Sequence, residues 1–166
     1  MKILILGAGK MGMFMADTLC MEHDVAVYAR HPEKLRYCLN TRRFTSMDEI
    51  KEFDPDLLIN AVTIKNTLSA FREVLPHINP KCMISDIASV KTGLPEFYKE
   101  AGHPFVSTHP MFGPTFANLS DLSRNYTVII KESDPFGKAF FREVYAGLKL
   151  NIYDYTFEEH DETIAY

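Results

Sequence analysis

Three glycines stand in the run Gly7-Ala8-Gly9-Lys10-Met11-Gly12, directly behind the apolar segment 3–6. This spacing, G-x-G-x-x-G, suits one task well, which is holding a diphosphate. The first glycine permits a tight turn, the second lets the backbone approach a pyrophosphate, and the third lets a helix pack close to the preceding strand. The free N–H groups at the start of that helix attract the anion. Context makes the motif specific: a strand-like run precedes it, and a segment of helical period, 10–21, follows. A glycine-rich turn with no ligand is the plain structural alternative. The expectation is a bound dinucleotide, held by Gly7, Ala8, Gly9, Lys10, Met11 and Gly12.

The end of the second strand, about 20 residues on, selects between the two common dinucleotides. A carboxylate there bonds the ribose 2′-hydroxyl of NAD. Here the chain reads Val27-Tyr28-Ala29-Arg30-His31-Pro32, with Ala29 in the acid's place and Arg30 next to it. An arginine favours a 2′-phosphate through charge-assisted hydrogen bonds. His31 and Lys34 add positive charge nearby. This reading prefers NADP, with NAD second; its plain alternative is a solvated Arg30 at a strand end.

Three further segments end strands where open α/β sheets bind ligands. They are Val62-Thr63, Asp86-Ile87-Ala88-Ser89-Val90-Lys91, and Ser107-Thr108-His109-Pro110-Met111-Phe112-Gly113-Pro114. The last places a histidine at a strand end, then two prolines and a glycine within five residues. Such a turn is stiff and fixes an imidazole in one place. A neutral imidazole can draw a proton from a hydroxyl at pH 7, which helps a carbinol carbon lose hydride. Its acid limb would lie at ~6.5 if unperturbed. On residue type alone, a lone histidine is more often structural. Lys91 reads equally as an anion partner or a residue at a helix start. His23, His31, His77 and His103 lie in polar, turn-like stretches and receive no catalytic role.

The run His109-Pro110-Met111-Phe112-Gly113-Pro114 resembles the histidine motif of prephenate and arogenate dehydrogenases. Asp86-Ile87-Ala88-Ser89-Val90-Lys91 resembles their serine-lysine segment, and Glu159-His160-Asp161 their His-Asp pair. The three occur in family order behind the glycine run, and the resemblance covers essentially the whole chain. It implies oxidative decarboxylation of prephenate to 4-hydroxyphenylpyruvate, or of arogenate to tyrosine. It also implies His109 as the catalytic base, Ser89 as the group holding the substrate hydroxyl, and a contact of His160 or Lys91 with substrate. The implied architecture is a Rossmann domain followed by a helical domain that makes a homodimer. The chain departs from the family at the missing acid of the second strand. The chain is expected to stop at the entrance to the helical domain, which in the family supplies the arginine that grips the substrate carboxylate.

The elements that must position these groups follow from periodicity. Apolar runs at 3–6, 25–28, 57–62, 82–85, 105–108, 127–130 and 150–153 alternate with helical segments at 10–21, 32–39, 47–52, 67–75, 91–100 and 135–147. Apolar runs without alternation suit parallel strands covered on both faces. Pro32 and Pro135 fall where helices would start and where a missing N–H costs nothing. The expected fold is therefore a Rossmann doubly wound α/β sheet, mainly parallel, with helices on both faces.

The 166 residues suffice for one such domain. A formal net charge of -4 argues against a nucleic-acid partner. No apolar run is long enough for a signal segment or membrane span, so the expectation is a cytoplasmic protein acting on a small molecule. Cys20, Cys38 and Cys82 are odd in number and form no CxxC, so neither a disulfide framework nor a metal site is expected.

Thr156-Phe157-Glu158-Glu159 reads as a capping box that opens a last helix. We expect residues 1–155 to form the dinucleotide domain and 156–166 to begin a truncated helical substrate and dimerisation domain. A short helix docked on the sheet is the alternative. Two other functions fit parts of the pattern. One is another NADP-dependent hydroxy-acid dehydrogenase or imine reductase, a class that often uses a lysine on a later helix. The other is a dinucleotide-sensing module, which needs the glycine loop but has no use for Ser89 and His109.

Overall fold

In β1, Lys2–Leu6, Ile3 and Ile5 point to one face of a sheet while Leu4 and Leu6 point to the other, and all four are buried. A strand apolar on both sides must lie in the middle of a sheet with helices above and below. The computed structural model, which describes residues 1–113 and 121–164, shows this arrangement. Eight strands run in the order β3-β2-β1-β4-β5-β6-β7-β8. They are β1, β2 (Asp24–Tyr28), β3 (Arg42–Phe44), β4 (Leu57–Asn60), β5 (Met83–Asp86), β6 (Phe105–Met111), β7 (Tyr126–Ile130) and β8 (Asn151–Tyr155). Neighbours pair in parallel except β6 with β7. This is the expected doubly wound, mainly parallel Rossmann sheet, extended by an antiparallel turn-back at β7.

Helices α1 (Lys10–Leu19) and α5 (Pro135–Gly147) cover one face through Met15, Leu19, Phe141 and Tyr145. The opposite face carries α2 (Met47–Phe53), α3 (Thr67–Val74), α4 (Leu94–Ala101) and α6 (Phe157–Ile164). No helix among the described residues is long and apolar enough to cross a membrane.

Three elements differ from the sequence reading. The helix expected at 32–39 is only a 3-10 turn, Pro32–Leu35, in which Leu35 alone is buried. Beyond that turn Cys38 is buried but Tyr37 and Leu39 are exposed, so little apolar packing supports a longer helix. Strand β3 was not anticipated, because Arg42-Arg43-Phe44 has no apolar run. Parallel backbone pairing with β2 makes it a strand, and polar contacts flank it: Arg42 pairs with Asp24 at 2.8 Å, and Arg43 Nε donates to the Cys38 carbonyl at 3.0 Å. Finally, β6 does not stop at 108. Its first half pairs with β5 and its second with β7, so Thr108–Met111 stay extended. His109 therefore lies inside a strand rather than in a turn after it.

Cys38 and Cys82 are buried thiols and Cys20 is partly buried, all three free. Burial pushes the Cys82 thiol up to about 12.

Candidate active site and dinucleotide cleft

Because β1, β2, β4, β5 and β6 run parallel, their carboxyl ends share one edge of the sheet. The strand order reverses between β1 and β4, and a crevice opens outside such a reversal. A cleft of about 360 Å³ lies there. Gly7, Ala8 and Gly9 line one wall, Arg30 and His31 another, and Val62 and Thr63 a third.

Gly7 has φ +99°, a conformation that disfavours any side chain, and donates its N–H to the Tyr28 carbonyl at 2.9 Å. A Cβ on Gly12 would overlap the Gly7 carbonyl, so only glycine lets α1 approach the loop this closely. Gly9 caps α1 with no side-chain hydrogen bond, and a Cβ there would meet nothing within 4 Å. The first turn of α1 carries no acid. Free N–H groups, an open approach and no competing carboxylate fit a diphosphate. Lys10, Met11 and Gly12 occupy that first turn but do not line the cleft; Gly12 is buried beneath the loop.

Arg30 reaches Glu73 of α3, with Nη2 to Oε2 at 2.5 Å. Glu73 also lines the cleft and accepts from the Tyr28 hydroxyl at 3.4 Å. The sequence reading missed Glu73. No local signal marks it, since 43 positions separate it from Arg30.

The second cluster is built on Asp86, at the end of β5. Its carboxylate accepts from Lys91 Nζ at 2.6 Å, the Ala88 N–H at 3.0 Å and the Tyr98 hydroxyl at 2.5 Å. Lys91 is 0% exposed and also donates to the Thr108 carbonyl at 2.6 Å. Burial pulls its pKa down, while the Asp86 carboxylate opposes loss of its proton. Lys91 thus ties the β5 loop to β6 and turns its charge inward, away from any ligand in the open cleft. The Thr108 hydroxyl bonds the buried Tyr145 hydroxyl of α5 at 2.7 Å. Thr108 is held on both sides, and the next residue, His109, inherits that fixed backbone.

The His109 ring is 8% exposed, with Nδ1 lying 3.0 Å from Nε2 of His160. His160 is 1% exposed, and its Nδ1 lies 3.3 Å from a carboxylate oxygen of Asp161. Burial and the nearby Lys91 charge lower the His109 pKa to about 4. Burial lowers His160 as well, with Asp161 opposing. His109 is therefore neutral at pH 7, and an acid limb near the unperturbed value is not expected from it. That corrects the figure drawn from residue type.

Helix α6 delivers His160, and its start is fixed by several contacts. The Glu159 N–H donates to the Thr156 hydroxyl at 3.0 Å, and the Thr156 N–H donates to the Glu159 carboxylate at 3.4 Å, closing the capping box. Glu132 accepts from the Phe157 N–H at 3.2 Å. Phe157 packs on Phe105, which stacks on Tyr98 at 4.2 Å. The aromatic series that seats α6 is the one that places Tyr98 on Asp86.

Ser89 sits half-buried in the bend after β5, and among the described residues its side chain makes no hydrogen bond, to His109 or to any other group. Pro114, the last residue of the histidine motif, lies outside the described residues. Phe112 meets Phe14 of α1 edge-on at 5.4 Å, so the end of the histidine segment rests on the helix that follows the glycine loop.

A glycine loop at the sheet's reversal point, with a cleft above it, is the arrangement of a Rossmann dinucleotide-binding unit. The family model for the nucleotide-binding domain of prephenate dehydrogenase matches residues 20–149. A probable arogenate/prephenate dehydrogenase of Methanocaldococcus jannaschii is 34% identical over 98 residues, 57% of this chain and 21% of that protein. Arogenate dehydrogenase from Synechocystis superposes with a TM-score of 0.82 at 24% identity, over 100% of this chain and 63% of that one. Prephenate dehydrogenase from A. aeolicus, solved with hydroxyphenyl propionate and NAD+, gives 0.79 at 20% identity, over 98% and 62%. The chain belongs to the prephenate dehydrogenase family. It spans about a fifth of the length of the Methanocaldococcus relative and under two thirds of the two solved chains.

Proposed function

We propose that this chain supplies the dinucleotide site and the catalytic base of an enzyme that oxidatively decarboxylates prephenate or arogenate. The carrying observation is the His109–His160 contact, which holds a neutral imidazole on the edge of the sheet that bears the glycine loop. The dinucleotide, NADP in preference to NAD, accepts the hydride when bound. Gly7 sets the turn with its N–H held by Tyr28, the backbone N–H groups of Ala8 and Gly9 would face the diphosphate, and Arg30 would face the 2′ position.

The tautomers follow from the partners. Asp161 takes a hydrogen bond from His160 Nδ1, which leaves His160 Nε2 as an acceptor. His109 then donates from Nδ1, and its Nε2 carries a free lone pair. That lone pair accepts the substrate hydroxyl proton, and Ser89 orients the same hydroxyl. As the proton leaves, electron density moves to the carbinol carbon. Hydride departs from that carbon, the ring carboxylate is lost as CO2, its bonding pair completes the aromatic ring, and the proton returns from His109 to the oxygen to give the phenol. Lys91 positions His109 and lowers its pKa. His160 holds the base, and a direct contact with substrate is the second reading for it. We further propose that residues 1–155 form the dinucleotide unit, that α6 belongs to a helical unit completing the substrate pocket, and that the full-length protein is a homodimer.

The test is spectrophotometric. Reduced dinucleotide should form when the full-length protein meets prephenate or arogenate, and a protein that only senses the dinucleotide would form none. Reduction of the dinucleotide by an unrelated hydroxy acid, or oxidation of the reduced dinucleotide by an imine, with no turnover of prephenate or arogenate, would support the broader dehydrogenase class instead.

A further inference from the structure

The ion pair that closes the adenosine side of the cleft joins the residue expected to read a 2′-phosphate to a carboxylate. Arg30 donates to Glu73 at 2.5 Å, and Glu73 also accepts from Tyr28 at 3.4 Å. Arg30 is 66% exposed and Glu73 35%, and both line the cleft with His31 and Lys34. The second strand ends at Tyr28 with Ala29 next, so the acid that this strand end lacks comes to the cleft from α3.

We propose that Glu73 sets the cofactor selectivity of this domain. The inference rests on the dinucleotide reading above. With a 2′-hydroxyl in the cleft, the Arg30–Glu73 pair stays closed, and the carboxylate can accept the hydroxyl's hydrogen bond. A 2′-phosphate must take Arg30 from Glu73 and tolerate the carboxylate beside it. Like charges at this range repel, and exposed pairs are screened by salt. Glu73 therefore restrains the NADP preference that Arg30 creates, and keeps NAD usable. The arginine alone, read from sequence, overstates the discrimination.

Calorimetric titration of NADP and NAD into wild type, Glu73→Gln, Arg30→Gln and the double variant tests this. Glu73→Gln should tighten NADP about tenfold at low salt and leave NAD within about threefold. In the Arg30→Gln background the gain should shrink to under about threefold, because the competition for Arg30 is gone. Both gains should fall as salt rises. Wild type that binds both dinucleotides, with an unchanged NADP-to-NAD ratio in Glu73→Gln, overturns the inference alone. Wild type that binds neither overturns the dinucleotide reading, and the inference with it.

Discussion

His109 and His160 lie 51 positions apart, yet their ring nitrogens sit 3.0 Å from each other and both rings are buried. One belongs to the strand that changes partners from β5 to β7, the other to the first turn of α6. On the proposed mechanism this contact matters because a neutral imidazole with one nitrogen engaged presents the other in a fixed direction.

His109→Asn tests the base. Asparagine keeps a hydrogen-bonding group but cannot take the proton. kcat should drop by roughly 10²–10⁴-fold in the full-length protein, the usual scale for a lost general base. Dinucleotide affinity should stay put, because the diphosphate site proposed at the glycine loop does not involve His109. Near-normal kcat would leave His109 a structural residue of β6.

The pH profile carries a signature. A base with a pKa of about 4 keeps its activity through mild acid, so the limb assigned to it should lie near 4 and not near 6.5. Binding of substrate shifts the limb seen in kcat but not the limb of the free enzyme in kcat/KM. A limb near 6.5 in kcat/KM that vanishes in His109→Asn would show that the ring is not desolvated as described.

Folding stability responds to the same group. The folded pKa lies below the unfolded one, so between about 6.5 and about 4 the unfolded chain binds a proton that the folded chain refuses. Stability from this group is full above that window and is lost as pH falls through it. His160, also lowered, adds in the same direction. Thermal melts of wild type and His109→Asn across this range should show a shallower loss in the variant. Parallel curves would contradict the assignment.

Lys91→Met should be costly. It strands the Asp86 carboxylate in a buried site, and breaking such a pair costs about 3–5 kcal/mol. It should also raise the His109 pKa, because the neighbouring positive charge that lowers it is gone. Denaturant melts check the first effect and the pH profile the second. A variant with wild-type stability would mean that Asp86 is not held as a buried charge.

His160→Ala separates two roles. As a positioning residue, His160 should affect kcat by about 10²-fold and leave KM nearly constant. A raised KM with kcat intact would instead make it a substrate contact.

Much of this was legible before any coordinates. The glycine loop, the apolar runs and the capping box at Thr156 act through neighbours in sequence, and each appears where periodicity or spacing placed it. Helix α5, Pro135–Gly147, matches the expected bounds because a proline opens it and Asp134 caps it. What escaped is long-range. Strand β3 is held by backbone pairing with β2, which the polar run Arg42-Arg43-Phe44 does not announce, and Glu73 meets Arg30 from 43 positions away. Lys91 and Asp86 stand in one motif five residues apart, yet burial, which no local pattern reports, makes them a structural pair. The His109 pKa depends on burial in the same way.

The most direct test of His109 as the base is the absorbance of reduced dinucleotide when the full-length protein is given prephenate or arogenate with NADP or NAD. We predict reduction with at least one pairing, release of CO2 in step, and loss of most of the rate in His109→Asn with dinucleotide binding preserved. Absence of reduction in every pairing, or an undiminished rate in His109→Asn, contradicts it.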